Sequence, residues 1–125
     1  MIHNVRAYVR TNYWSVEAKV SLDQETWTEV QVPDISAGGL QFLSHDTISE
    51  GQSVWFDLSI NPLMREVPDM VYVEAKGVVK RAIGANNRVR TYGVEFTEIT
   101  ENERIRLDVL INRTIEKFGR IVLMD

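Results

Sequence analysis

A chain of 125 residues, 44% apolar and 26% charged, has the size and balance of one ordinary globular domain able to bury a core unaided. It contains no cysteine, which excludes a disulfide framework and a thiol nucleophile and fits a cytoplasmic protein. No stretch approaches the roughly 18 apolar residues of a membrane helix, and Met1–Arg6 lacks the apolar run of a signal peptide. A formal net charge of -4 argues against binding a nucleic acid polymer, where phosphate contacts dominate affinity.

From Tyr13 to Leu22, Trp14, Val16, Ala18, Val20 and Leu22 fall at alternate positions, the period of a half-buried strand. Asp23-Gln24-Glu25 is a polar turn, and Trp27–Val32 completes a hairpin. Pro33 is expected to end that strand, since proline cannot donate to the ladder. A turn through Gly38-Gly39 leads to a short strand with Leu40, Phe42 and Leu43. Val54–Ile60 is another strand, preceded by Gly51 in a turn. Asn61–Asp69 carries two prolines and reads as a loop. Val71–Arg81 is a long strand with Val71, Val73, Ala75 and Val79 on one face. Gly84–Asn87 is a turn and Arg90–Ile99 the last strand.

The period then changes. Thr100 and Glu103 form a capping box, each side chain expected to take the other's free backbone N–H. Leu107, Leu110, Ile111, Ile115 and Phe118 follow at helical spacing, and Gly119 is a stop signal. Closely spaced short strands before one amphipathic helix favour a sandwich or barrel. The chain reads as one domain over 1–125: an arm (1–12), a β-body (13–99) and a helix (100–118). The apolar tail Ile121-Val122-Leu123-Met124 is expected to pack on the same domain. Trp14, Trp27 and Trp55, all at strand positions, are expected in the core.

Two short patterns carry chemistry. Arg6-Ala7-Tyr8-Val9-Arg10 is R-x-x-x-R, just before the first strand. Asp34-Ile35-Ser36-Ala37-Gly38-Gly39 is D-x-S-x-x-G, expected in the turn between the second and third strands. In that order they resemble the paired ligand motif of PilZ domains. Tyr92-Gly93-Val94-Glu95-Phe96 resembles that family's last barrel strand, and the terminal helix matches as well. The resemblance implies a mainly β fold, a six-stranded antiparallel PilZ-type β-barrel with one C-terminal α-helix. It implies a receptor for the bacterial second messenger cyclic di-GMP, in which the arginines meet guanine and phosphate and the Asp-Ser-Gly segment meets guanine.

The residues suit that ligand. Guanine O6 and N7 are paired acceptors that an arginine fork matches. In an extended arm Arg6 and Arg10 point the same way, about 13 Å apart at ~3.3 Å per residue. Asp34 offers an acceptor to guanine N–H groups, Ser36 a hydroxyl of either sense, and Gly39 a position without a side chain where the backbone turns or approaches a ligand. Arg81 ends the long strand near where the family often places an aromatic residue against the ligand, and is a candidate for stacking. An extra arginine before R-x-x-x-R favours a stacked ligand pair in the family; Val5 stands there, so one cyclic di-GMP per chain is expected.

Catalysis finds little footing. His3 and His45 sit in no metal-ligand spacing, Ser36 has no histidine near it in sequence, and no Gly-rich loop precedes a helix. No enzyme activity, metal or cofactor is therefore expected. The resemblance implies a ligand-ordered arm that presents a new surface to a protein effector such as a flagellar motor, polysaccharide synthase or pilus machinery. The alternative is a PilZ-like interaction adaptor without ligand; the presence of both motifs argues against it. An oligonucleotide-binding barrel of another family is disfavoured by the acidic balance and the four lysines.

Overall fold

The computed structural model describes residues 8–10, 14–62, 70–86, 88–118 and 123–124. In chain order the elements are β1 (Tyr8–Arg10), β2 (Trp14–Ser21), β3 (Trp27–Ser36), β4 (Gly39–Ser44), β5 (Ser53–Pro62), β6 (Val71–Asn86), β7 (Val89–Ile99), α1 (Glu101–Phe118) and β8 (Leu123–Met124). Six strands run in the order β2-β5-β6-β7-β4-β3, and a β2–β3 pairing closes them into an antiparallel barrel. Closure leaves the six strands without a long free edge. One edge of β3 is shared: Trp27–Val30 pair with β2, whereas Asp34 and Ile35 pair with β1. β1 in turn pairs with β8, Tyr8 opposite Met124 and Val9 opposite Leu123.

Strand alternation builds the core. Val54, Phe56, Leu58 and Ile60 of β5 are buried, alternating with half-exposed or exposed residues. Val71, Val73, Ala75 and Val79 of β6 join them, as the period of two requires. Phe42 packs edge-on against Phe56 and tilted against Tyr92, with both ring pairs 5.5 Å apart. The Tyr92 hydroxyl donates to Asp46 O at 2.7 Å and accepts from Ile48 N–H at 3.0 Å, fastening the β4–β5 connection. Leu107, Leu110 and Ile111 bring α1 into the same core. Full burial of such a side chain contributes about 1.5–3 kcal/mol. The Trp14 indole N–H donates to buried Thr114 Oγ1 at 3.1 Å, which itself donates to Leu110 O at 2.8 Å.

Several sequence expectations need correction. β3 does not end at Pro33 but runs through it to Ser36. Pro33 lies where the register to β4 shifts, between Gln31 and Asp34, and after the last β2 pair at Val30 but before the first β1 pair at Asp34. Neither ladder requires its missing N–H. Gly84–Asn86 belong to β6, which absorbs three register irregularities, and the tight turn falls at Arg88 with φ 73°. In the capping box Thr100 Oγ1 accepts the Glu103 N–H at 3.2 Å as expected, but the Glu103 carboxylate takes the Thr100 hydroxyl (2.9 Å) and the Glu74 N–H (3.1 Å). That second bond ties the helix start to β6. Trp14 is core, but Trp27 is 42% exposed at the hairpin end of β3. Trp55 sits in the outward set of β5, with Lys76 Nζ 5.5 Å from its ring centroid.

Candidate functional site

Leu40 and Phe42 of β4 are fully buried, so Gln41 between them belongs to the outer face of the barrel. The pairing register carries that face across the sheet. Gln41 is opposite Asp34 on β3 and Gly93 on β7; Gly93 is opposite Arg81 on β6; Asp34 is opposite Arg10 on β1. Arg10, Asp34, Gln41, Gly93 and Arg81 therefore form one cross-strand row. Four strand spacings of ~4.8 Å make it roughly 19 Å long. The sheet thus joins three residues that stand far apart in sequence and were each expected to meet the ligand. Arg6 lies outside the described residues.

Asp34 is only 5% exposed although its register places it in the outward set. Burial of a carboxylate demands partners for it, and Asp34 makes polar interactions in the fold. Asp34 and Ser36 belong to the end of β3 rather than to the turn, which is reduced to Ala37-Gly38. Buried Ser36 closes this turn: its Oγ accepts the Gly38 N–H at 3.2 Å and donates to Gly39 O at 3.3 Å. Its hydroxyl thus has a structural role whatever else it meets.

Gly39 is fixed by β7. A Cβ there would stand 2.0 Å from Val94 O and 3.1 Å from Val94 C. The β4–β7 approach excludes any side chain, and the Phe96 N–H donates to Gly38 O at 2.8 Å beside it. Gly39, Glu95 and Val78 continue a second outward row next to the first. Arg81 is exposed and, among the described residues, forms no ion pair. Its stem lies across β7, with Cγ 3.2 Å and Nε 3.4 Å from where a Gly93 Cβ would be. Arg90 sits in the opposite, inward set of β7, facing Ser44.

The row occupies a sheet face, not a cavity. A groove of about 440 Å³ lies elsewhere, lined by Glu17, Lys19, Glu29 and Asp57 among others. Its three carboxylates against one ammonium disfavour an anionic ligand. Among the described residues no His, Cys, Asp or Glu group has the makings of a metal site, and no helix is long and apolar enough to cross a membrane.

Gln41 and Gly93 were missed by sequence reasoning. Alternation in Leu40-Gln41-Phe42 already puts Gln41 outward. Its position beside Asp34 depends on the irregular β3–β4 register, which no local pattern reveals.

The family model for the PilZ domain matches residues 4–113. Among curated proteins none matches the chain. Similar solved structures include the Bacillus subtilis inhibitor of motility MotI/DgrA, at TM-score 0.72 and 22% identity over 93% of this chain and 54% of that one. The MrkH–c-di-GMP complex of K. pneumonia is similar at TM-score 0.66 and 13% identity, over 96% and 55% of the two chains. The PilZ domain of Escherichia coli YcgR with c-di-GMP has TM-score 0.55 and 13% identity, over 95% of this chain and 100% of that one. The chain thus spans about half the length of MotI and of MrkH.

Proposed function

Because the chain belongs to the PilZ domain family, we propose that it is a non-catalytic receptor for cyclic di-GMP, binding one molecule per chain along the outward row. The observation that carries this reading is the register that aligns Arg10, Asp34 and Arg81 in a single row. Two structurally similar proteins, MrkH and the YcgR domain, are seen with this nucleotide.

Each residue has a chemical part. Arg6 and Arg10 meet the guanine O6/N7 edge and the phosphates through bidentate, charge-assisted bonds. Asp34 accepts from guanine N–H groups, while Ser36 and Gly39 hold the turn beside it. Arg81 lays a guanidinium against a purine face. Val5 adds no further cation, and a second ligand would bring two more phosphate charges into a protein of net charge -4.

Tyr8–Arg10 of the arm (1–12) already pair with β3; binding locks the arm in that place through Arg6 and Arg10, and the resulting surface is read by a protein effector: a flagellar motor, a polysaccharide synthase or pilus machinery. The size of such a switch is limited by the ligand's differential affinity for the two arm states. With that ligand goes a location in the bacterial cytoplasm.

The test is equilibrium binding of cyclic di-GMP to the unaltered chain and to Arg10→Ala. Loss of a charged hydrogen-bonding partner costs about 1.5–3 kcal/mol, so Arg10→Ala is expected to bind at least about tenfold more weakly. Its urea midpoint should be unchanged. Equal affinity of the two proteins would overturn the role of the arm.

A further inference from the structure

Gly93 stands in the middle of an 11-residue strand. A glycine there weakens the strand and marks a place where something approaches its backbone closely. Unlike Gly39, it is not crowded by a neighbouring backbone. The three atoms nearest to a Cβ at Gly93 all belong to side chains: Arg81 Cγ at 3.2 Å, Arg81 Nε at 3.4 Å and Ile83 Cδ1 at 3.5 Å. Nor does its backbone call for glycine, since Gly51 is the only described glycine with positive φ.

β6 explains why two side chains converge on this point. Its register slips between Val79 and Arg81 and again between Ala82 and Gly84. Residues 81 and 83 thereby both reach over the same position of β7. Arg81 is exposed and Ile83 is 44% exposed, a large apolar side chain left uncovered on the outer face. Together they make a shallow shelf in the row that holds Gln41 and Asp34: a guanidinium stem lying along the sheet beside an aliphatic wall. That pairing suits the face of a flat, electron-rich ring, by cation–π attraction and apolar contact. It does not suit a bare phosphate, which takes nothing from Ile83.

Resting on the cyclic di-GMP reading, we infer that Gly93 is a positioning residue for the ligand. By carrying no side chain it lets Arg81 and Ile83 lie over β7, where they receive the face of one guanine while Asp34 reads its edge. Gly93 acts through Arg81 and Ile83 rather than by touching the ligand.

The test is a double-mutant cycle on cyclic di-GMP affinity with Gly93→Val, Arg81→Ala and the double variant, each checked by urea denaturation. Valine favours an extended strand, and the atoms that must give way are side-chain atoms, so folding is expected to persist. Gly93→Ala serves as the milder variant if it does not. Each single variant should weaken binding by about tenfold, or ~1.4 kcal/mol. Adding Gly93→Val to Arg81→Ala should cost clearly less than Gly93→Val costs alone, since only the Ile83 contact is then left to displace. Wild-type affinity in Gly93→Val would overturn the inference. So would an equal loss on adding Gly93→Val to Arg81→Ala, because the new side chain would then be blocking the ligand itself. If the unaltered chain binds no cyclic di-GMP, the ligand reading fails and this inference with it. That failure appears in the unaltered chain, whereas failure of the inference alone appears only in the variants.

Discussion

Gly39→Ala should separate the structural work of the D-x-S-x-x-G segment from its ligand work. The new methyl would stand 2.0 Å from Val94 O, 3.1 Å from Val94 C and 3.2 Å from Glu95 Cα. These are backbone atoms in a paired strand and have no rotamer to escape into. Ordinary contact lies near 3.5 Å, so β4 and β7 must part by about 1–1.5 Å. Overpacking of this kind costs about 1–3 kcal/mol. The Phe96 N–H bond to Gly38 O, now 2.8 Å, would be stretched or broken at a net cost of about 1 kcal/mol. The sum, about 2–4 kcal/mol, is a large share of the ~5–15 kcal/mol of a typical domain. For a chain of this length it corresponds to a drop of roughly 10 °C in Tm. Urea denaturation followed by tryptophan fluorescence reads the change as a lower midpoint at unchanged slope. Gly38→Ala is the control: its Cβ would find only Ser36 Oγ, at 3.9 Å, and should stay within about 0.5 kcal/mol of the unaltered chain. An unchanged midpoint for Gly39→Ala, or equal losses at the two glycines, would refute the reasoning.

Thr114→Val keeps the side chain's shape but removes the acceptor 3.1 Å from the buried Trp14 indole N–H. A stranded buried donor costs about 1–3 kcal/mol, visible as a lower urea midpoint; no change would mean that the indole has another acceptor. Tyr72 offers a test in alkali. Its hydroxyl donates to the Asp57 carboxylate, and this, with lesser contributions from partial burial and from the charges of Asp57, Glu74 and Glu103, pushes its pKa up to about 12. The folded state therefore holds this proton more tightly than the unfolded state. The stabilisation is complete below pH 10 and is lost as pH rises through about 12; exposure keeps it small. Ultraviolet titration of phenolate should show one tyrosine moving back toward pH 10 in Asp57→Asn, and identical titrations would contradict the hydrogen bond.

The barrel was legible wherever burial alternates. Val54, Phe56, Leu58 and Ile60, and Val71, Val73 and Ala75, announce their strands because one side of each faces the core. The helix was legible for the same reason at the longer period. Pro33 misled because local chemistry says it ends a strand, while the pairing happens to need nothing from it at that point. Trp55 misled because a large apolar side chain looks like core, yet it lies in the outward set of β5 with the Lys76 ammonium over its ring. The proposed site was visible in the sequence as two motifs, but its arrangement as a surface was not. Asp34 and Ser36 were recognisable by spacing; their neighbours Gln41, Gly93 and Arg81 are set by registers with irregularities between Gln31 and Asp34, Val79 and Arg81, and Ala82 and Gly84. Each slip changes which residues share a row, and no local pattern in the sequence encodes it.

The most direct measurement is a calorimetric titration of the unaltered chain with cyclic di-GMP, with GTP as the control nucleotide. The expected result is a saturable heat with a Kd in the micromolar range or tighter, about -8 kcal/mol or beyond, at one ligand per chain, and none from GTP. Folded protein that gives no heat at about 100 μM cyclic di-GMP, far above the expected Kd, would contradict the receptor reading. Saturation at two ligands per chain would contradict the single-ligand expectation that Val5, before R-x-x-x-R in the sequence, carries.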